Sequence, residues 1–353
     1  MTIKITGTGS YIPNTVKKNE DFYENQFLNT DGSAINAPNE VIVEKFKAIT
    51  GIGERRYADK KLNTSDIAFF AAEKAIENAN INREDIDYII VAHNYGDVKY
   101  NTEQSDTIPS IASRVKHLLK IENPKCVGYD ILFGCPGWIE GVIQAKAFIS
   151  SGLAKKCLVI GAETLSRVID PHDRDSMIYS DGAGAVIVES TNEETGGIIA
   201  HETATYALDE AHFIHFGETN NQEVSDKRRY IKMYGRKIYE FAIVNVPQAM
   251  KACLDKSGVD IKDVKKILIH QANEKMDEAI VKRFYKLYNL KMPKDIMPMT
   301  IGKLGNSSVA TIPTLYDLIL KGELENHAIN KGDIVLFASV GAGMNINAIV
   351  YKV

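Results

Sequence analysis

Ala71–Ala92 (AAEKAIENANINREDIDYIIVA) and Ala249–His270 (AMKACLDKSGVDIKDVKKILIH) superimpose without a gap at an offset of 178 residues. Each passes from a helical pattern through a polar turn (Asn82-Arg83-Glu84-Asp85 and Asp260-Ile261-Lys262-Asp263) into a short apolar strand. The same offset lays Cys157-Leu158-Val159 on Val335-Leu336-Phe337, strand on strand. A period this long marks duplication of a βαβ-rich domain, because solenoid repeats are several times shorter. The expectation is an α/β chain of two similar halves, residues 1–189 and 190–353, with helices covering their sheets.

Outside the repeat, the patterns predict helices over residues 40–50, 65–79 (with Ser65 as cap), about 109–120, and 309–321. Strands are predicted from Met1 to Gly7 and over 87–92, 126–133, 156–162, 184–189 and 197–203. Residues 14–39 read as loops and short helices, and residues 190–234 as a connection with a surface excursion.

The duplication also locates chemistry. Where the first copy ends its strand in Ala92, the second ends in His270, followed by Gln271-Ala272-Asn273. A polar side chain there stands where ligand clefts open in α/β folds, although a core histidine satisfied by backbone fits equally well. The apolar run 126–133 ends at Gly134, and after Cys135 the stretch Pro136-Gly137-Trp138 opens a helical pattern through Val142, Ala145, Phe148 and Ile149. A cysteine on this turn meets the free N–H groups and positive dipole end of the helix, which favours thiolate and offers donors to an oxyanion. Pro136 suits the first helical position. Read alone, a cysteine in an apolar stretch is more often a small buried hydrophobe. Leu304-Gly305-Asn306-Ser307-Ser308, directly before a helical pattern, is by itself a turn. Asp181-Gly182-Ala183-Gly184 and Gly341-Ala342-Gly343 match neither a dinucleotide nor a Walker fingerprint.

The 353 residues are 44% hydrophobic and 25% charged, with a formal net charge of −4: enough for a large core, and without the basic runs of a nucleic-acid binder. No apolar stretch approaches a membrane span and no secretory pattern follows the first residues, so a cytoplasmic protein without membrane contact is expected. Cys126, Cys135, Cys157 and Cys253 form no CxxC pair, the pattern of reduced thiols rather than a disulfide framework or zinc site. His212 and His215 have metal-like spacing but lack a second ligand pair, and are read as a solvent-facing loop; no metal is expected.

A cysteine on a strand-to-helix turn, then His270-Gln271-Ala272-Asn273, then Gly305-Asn306-Ser307-Ser308, in this order on a duplicated α/β chain, resembles the 3-oxoacyl-acyl carrier protein synthase III family of the thiolase superfamily. Similar stretches recur along nearly the whole chain: Thr50-Gly51-Ile52-Gly53-Glu54-Arg55-Arg56, Asp173-Arg174, residues 180–185, Met233 with Gly235, and Gly341-Ala342-Gly343. The resemblance implies a thiolase-like fold of five layers, α-β-α-β-α, and a homodimer. It implies that Cys135 takes an acyl group from an acyl-CoA or acyl carrier protein (ACP) thioester. His270 and Asn306 then promote decarboxylation of malonyl-ACP, whose carbanion attacks the acyl enzyme to give a 3-oxoacyl-ACP. Backbone N–H groups of Cys135 and Ala342 form the oxyanion hole of acyl transfer, and Arg174, Asn273, Lys275 and Gly235 contact the substrate. The thioesters of coenzyme A or ACP are substrates, and no metal or nicotinamide cofactor is implied.

Three departures shape the substrate expectation. Gly134 and Pro136 flank the cysteine where the family usually has alanine before it and serine or alanine after it. Lys45 and Ile49 stand where typical members carry a tryptophan and an arginine for coenzyme A, and Ala342 replaces the middle of a glycine triplet. The thinned nucleotide clamp points to an ACP-borne donor or a bulkier acyl-CoA, in specialised lipid or polyketide synthesis rather than acetyl-CoA initiation. Two other readings are a Claisen-type acyltransferase of the same superfamily that omits decarboxylation, and an inactive partner subunit. Retention of Cys135, His270 and Asn306 argues against both.

Overall fold

The computed structural model describes residues 2–102, 104–225 and 227–353, so Met1, read as the start of the first strand, lies outside the described residues. The chain runs through β1 (Thr2–Tyr11), β2 (Thr15–Lys18), α1 (Asn39–Thr50), β3 (Glu54–Tyr57), α2 (Thr64–Ala79), β4 (Tyr88–Ala92), α3 (Ile111–Leu118), β5 (Val127–Ile131), α4 (Gly137–Ser150), β6 (Lys156–Thr164) and β7 (Asp181–Thr191). It continues with β8 (Gly197–Thr205), β9 (Ile214–Gly217), β10 (Tyr230–Met233), α5 (Gly235–Ser257), β11 (Val264–Ile269), α6 (Glu274–Lys286), α7 (Ile301–Leu304), α8 (Thr311–Leu320), β12 (Ile334–Gly341) and β13 (Asn345–Lys352).

Two mixed sheets carry the fold, in the orders β1-β7-β6-β4-β5 and β8-β13-β12-β11. Pairing repeats between them: β4 is parallel to β6 as β11 is to β12, and β6-β7-β1 run antiparallel as β12-β13-β8 do. The place of β5 is taken in the second sheet by an irregular segment, where the Ile267 N–H donates to the Ile296 carbonyl at 2.9 Å. The 178-residue offset survives in fine detail. Asn80 and Gly258 close their helices with φ of 52° and 71°, and the caps Asn82 and Asp260 accept from the N–H two residues on.

The apolar strands feed two cores at once. In β4, Ile89 and Val91 pack outward with α2 and α3 while Ile90 faces α4; in β11, Ile267 and Ile269 pack outward while Leu268 faces inward. Helices α4 and α8 lie between the sheets, where Trp138, Leu315 and Tyr316 meet Phe337 and Tyr351. Helices α2 and α3 cover one outer face, α5 and α6 the other. The result is the five-layer α-β-α-β-α arrangement, and its uninterrupted apolar strands are what burial on both faces requires.

Several local expectations shift. The cap of α2 is Asn63, paired with Asp66 in a capping box, whereas Ser65 bonds the buried Asp97 carboxylate through both N–H and hydroxyl. Pro136 stands one residue before α4, as its cap. Two ribbons escape the sequence patterns, β2 with β3 and β9 with β10. Each strand there is four residues long, too short for a period of two to register.

Candidate active site

The carboxyl ends of β4, β5 and β11 point to one region, the position where open α/β sheets place ligands. Beyond β5, Gly134 takes φ +66° and Cys135 follows, so the chain reverses sharply into α4. Across from it, β12 ends in Gly341-Ala342. A methyl group on Gly341 would strike the Cys135 nitrogen, and one on Gly134 would strike the Ala342 backbone. Backbone therefore lies on backbone, and among the described residues neither the Cys135 nor the Ala342 N–H is bonded to a backbone carbonyl.

His270 leaves β11 with its N–H bonded to the Ala338 carbonyl at 2.9 Å. Its ring is buried, Nδ1 has no partner among the described residues, and burial pushes its pKa down to about 4. The imidazole is therefore neutral at physiological pH. Gln271 has a structural task, donating to the Pro298 carbonyl and accepting from the Thr300 N–H, both at 2.9 Å. It pins the approach to Gly305-Asn306. Asn306 is stitched to a neighbouring loop by its N–H to the Ile178 carbonyl and its carbonyl to the Ser180 N–H. Its Oδ1 accepts from the Ser308 N–H at 2.7 Å, which leaves the amide NH2 as the remaining polar end of a side chain that lines the cavity.

Cys135, His270, Asn306, Ala342, Arg174, Asn273 and Gly235 all line one largely apolar cavity of about 490 Å³. Lys275 does not; it lies exposed in the first turn of α6. Asn273 also caps α6, its Oδ1 accepting from the Met276 N–H at 3.1 Å. At Gly235 an added methyl would meet nothing, so the glycine leaves cavity space open. Lys45 and Ile49 line the cavity too, as do Asn94 and Tyr95, which sequence reasoning passed over although they lie just beyond β4, after His93.

Two opposing influences act on the sulfur. Position at a helix start favours thiolate, yet burial pushes the Cys135 thiol up to about 11, with a Ser308 hydrogen bond acting in the opposite direction. The apolar wall withholds the water that would solvate the anion. Cys126, Cys157 and Cys253 are free and buried; Cys135 is free and partly exposed.

The ribbon of β9 and β10 walls the cavity with Ile214, Ile231 and Met233, and Phe216 stacks on Tyr95 at 5.0 Å. It is anchored by the buried Lys232, which donates to Asp170 at 2.6 Å, Asp173 at 2.9 Å and the Asn220 side-chain oxygen at 2.7 Å. Lys232→Met leaves two carboxylates unpaired. It is expected to cost roughly 3–5 kcal/mol, read as a fall in melting temperature; a change within error would show that the cluster does not hold the ribbon.

Comparison with known proteins agrees with this geometry. The family model 3-oxoacyl-[acyl-carrier-protein (ACP)] synthase III matches residues 129–207, and its C-terminal model residues 254–353. The beta-ketoacyl-[acyl-carrier-protein] synthase III 1 of Vibrio vulnificus is 33% identical over 97% of both chains, and that of Bacillus cereus 30% identical over 100% of this chain and 99% of its own. The crystal structure of 3-oxoacyl-[acyl-carrier-protein] synthase III from Aquifex aeolicus superimposes with a TM-score of 0.81 at 30% identity, covering 99% of this chain and all of the other. With its two sheets, its central helix pair and a cavity that gathers Cys135, His270 and Asn306, the chain belongs to the 3-oxoacyl-[acyl-carrier-protein] synthase III family, condensing acyltransferases of the thiolase fold.

Proposed function

We propose that this chain performs a two-step decarboxylative Claisen condensation. Cys135 takes an acyl group from an acyl-CoA or acyl-ACP thioester, storing it covalently and splitting one difficult reaction in two. The oxyanion of that transfer sits between the Cys135 and Ala342 N–H groups. Neutral His270 and the Asn306 amide then donate to the malonyl thioester oxygen as carbon dioxide leaves, stabilising the enolate charge where it develops. The enolate carbon attacks the acyl carbonyl, expels the Cys135 sulfur and yields a 3-oxoacyl-ACP. The observation that carries this reading is the meeting of a thiol, a neutral imidazole and an oriented amide in one apolar cavity. The scheme uses thioester substrates and assigns no metal or redox cofactor. It divides the chain at residues 189 and 190, with Cys135 on one side and His270 and Asn306 on the other, and places the work in the cytoplasm.

The donor is an acyl group bulkier than acetyl or carried on ACP. Supporting this, Lys45 and Ile49 line the cavity and Ile49 is 54% exposed, a surface that offers no aromatic stack for adenine, while Arg174 remains for a phosphate. Gly235 and Asn273 are proposed to border the pantetheine path, and Lys275 to reach a phosphate or carrier surface from outside the cavity. Equal turnover of acetyl-CoA and longer or carrier-borne donors would count against this assignment.

A homodimer pairs two copies along β5. That strand is the edge of its sheet, and the neighbouring Leu132 and Ile108 are 68% and 87% exposed. Light scattering behind size exclusion is expected to give twice the 39.2 kDa chain mass; a monomer at micromolar concentration removes the proposal.

The two half-reactions are expected to respond differently to pH. His270 is neutral above about 4, so malonyl decarboxylation stays flat from pH 5 to pH 8 and declines only as pH approaches that value. The Cys135 thiolate fraction falls tenfold for each pH unit below about 11, so acylation rises with pH throughout. Separate single-turnover profiles decide the matter. A decarboxylation profile that titrates near the ordinary histidine value would show that His270 is not held neutral by burial.

A further inference from the structure

The Ser308 hydroxyl donates to the Cys135 sulfur at 3.3 Å. Backbone geometry holds it there: Ser308 has φ +53°, and its N–H is bonded to Asn306 Oδ1. Behind it stands Asn94, whose Nδ2 donates to Ser308 Oγ at 3.2 Å and to Glu163 Oε1 at 2.7 Å. The Asn94 backbone N–H donates to the same carboxylate oxygen. Glu163, near the end of β6, is buried, and its Oε2 has no partner among the described residues.

The direction of these bonds matters more than their number. Ser308 Oγ accepts from Asn94, so its single proton is left for the sulfur. Burial raises the Glu163 carboxyl to about 7, and against the ionised form Asn94 cannot flip, because its side-chain oxygen would then face Glu163 Oε1. The carboxyl group thus fixes the polarity of the whole row. Such a row stabilises the sulfur most once it is an anion, since a bond to a charged acceptor is about twice as strong as a neutral one.

We infer that Ser308 is a further catalytic residue, the donor that stabilises the Cys135 thiolate, and that Asn94 and Glu163 are positioning residues that fix that donor's direction. The inference rests on the reading of Cys135 as the acylated nucleophile. In acyl transfer the thiolate forms a new S–C bond, the donor's C–S bond breaks, and the proton lost from Cys135 is balanced by the one gained on the departing thiol. Ser308 acts in the interval when that proton is off the sulfur. Once the thioester has formed, the sulfur is a weak acceptor and the bond relaxes.

The test is alkylation of Cys135 by iodoacetamide, followed by intact mass from pH 6 to pH 9, which needs no thioester. Ser308→Gly tolerates the positive φ and removes only the donor. It is expected to alkylate about three- to tenfold more slowly, since a lower thiolate fraction is partly offset by higher intrinsic nucleophilicity. Wider access alone would speed the reaction, so an equal or faster rate overturns the assignment. Asn94→Ala is expected to slow alkylation in the same direction, and a wild-type rate there overturns the positioning role. Glu163→Gln keeps a carbonyl for Asn94 and loses a charge that opposes the thiolate, so it is expected to alkylate at least as fast as wild type, whereas Glu163→Leu also removes the acceptor and is expected to alkylate more slowly than Glu163→Gln; equal rates for these two variants remove Glu163 from the row. If Ser308→Gly slows alkylation in a chain that no thioester acylates, the hydrogen-bonded row stands and the condensing reading fails instead.

Discussion

Replacing Cys135 by alanine is expected to abolish covalent acylation and to lower condensation on the order of 10⁴-fold or more, while malonyl decarboxylation continues. The size of the loss follows from the chemistry: no other thiol reaches the cavity, because Cys126, Cys157 and Cys253 are buried elsewhere in the cores. The survival of decarboxylation follows from the architecture. Cys135 is positioned by β5 and α4, whereas His270 and Asn306 are positioned by β11 and by the loop bonded to residues 178–180. Cys135→Ala therefore removes one half-reaction and spares the other. Release of carbon dioxide from malonyl-ACP, measured beside mass spectrometry of the protein, separates them. Acylation that persists in Cys135→Ala would place the nucleophile elsewhere.

The complementary variant is Asn306→Asp. The carboxylate still accepts from the Ser308 N–H, so the loop keeps its shape, but the NH2 donor is gone and a negative charge faces the developing enolate. Decarboxylation is expected to fall at least about 10²–10³-fold, the loss typical of removing one oxyanion donor, with acylation of Cys135 retained. His270→Ala should lose decarboxylation by the same route and leave a void in a buried site. If Asn306→Asp instead lost acylation and kept decarboxylation, the two roles would have to be exchanged.

Most of the architecture is legible in the sequence because burial on both faces imposes a recognisable composition. Ile89, Ile90 and Val91, or Val335, Leu336 and Phe337, alternate between two cores and so stay apolar throughout. The duplication is visible because both copies must pass from helix to strand through the same left-handed residue and capped turn. The candidate site is partly legible for a related reason: His270 interrupts the repeat, and Cys135 stands beside a glycine that only a sharp turn needs. What escapes is set by tertiary proximity. The β9 and β10 ribbon is held by Lys232 reaching Asp170 and Asp173 across about sixty residues, which no local pattern reports. Glu163 looks like an ordinary strand-end carboxylate until Asn94 is seen against it. The direction of the Cys135 shift is lost as well, because a helix start is written in the sequence and the dryness of the surrounding wall is not.

The most direct test of condensation is intact-protein mass spectrometry after incubation with a panel of acyl-CoA and acyl-ACP thioesters, with and without malonyl-ACP, beside Cys135→Ala. The expected result is a mass gain of one acyl group that requires Cys135, appears most readily with donors other than acetyl-CoA, and disappears with carbon dioxide release when malonyl-ACP is added. No mass gain with any donor, or a gain that malonyl-ACP never discharges, would contradict the two-step condensation.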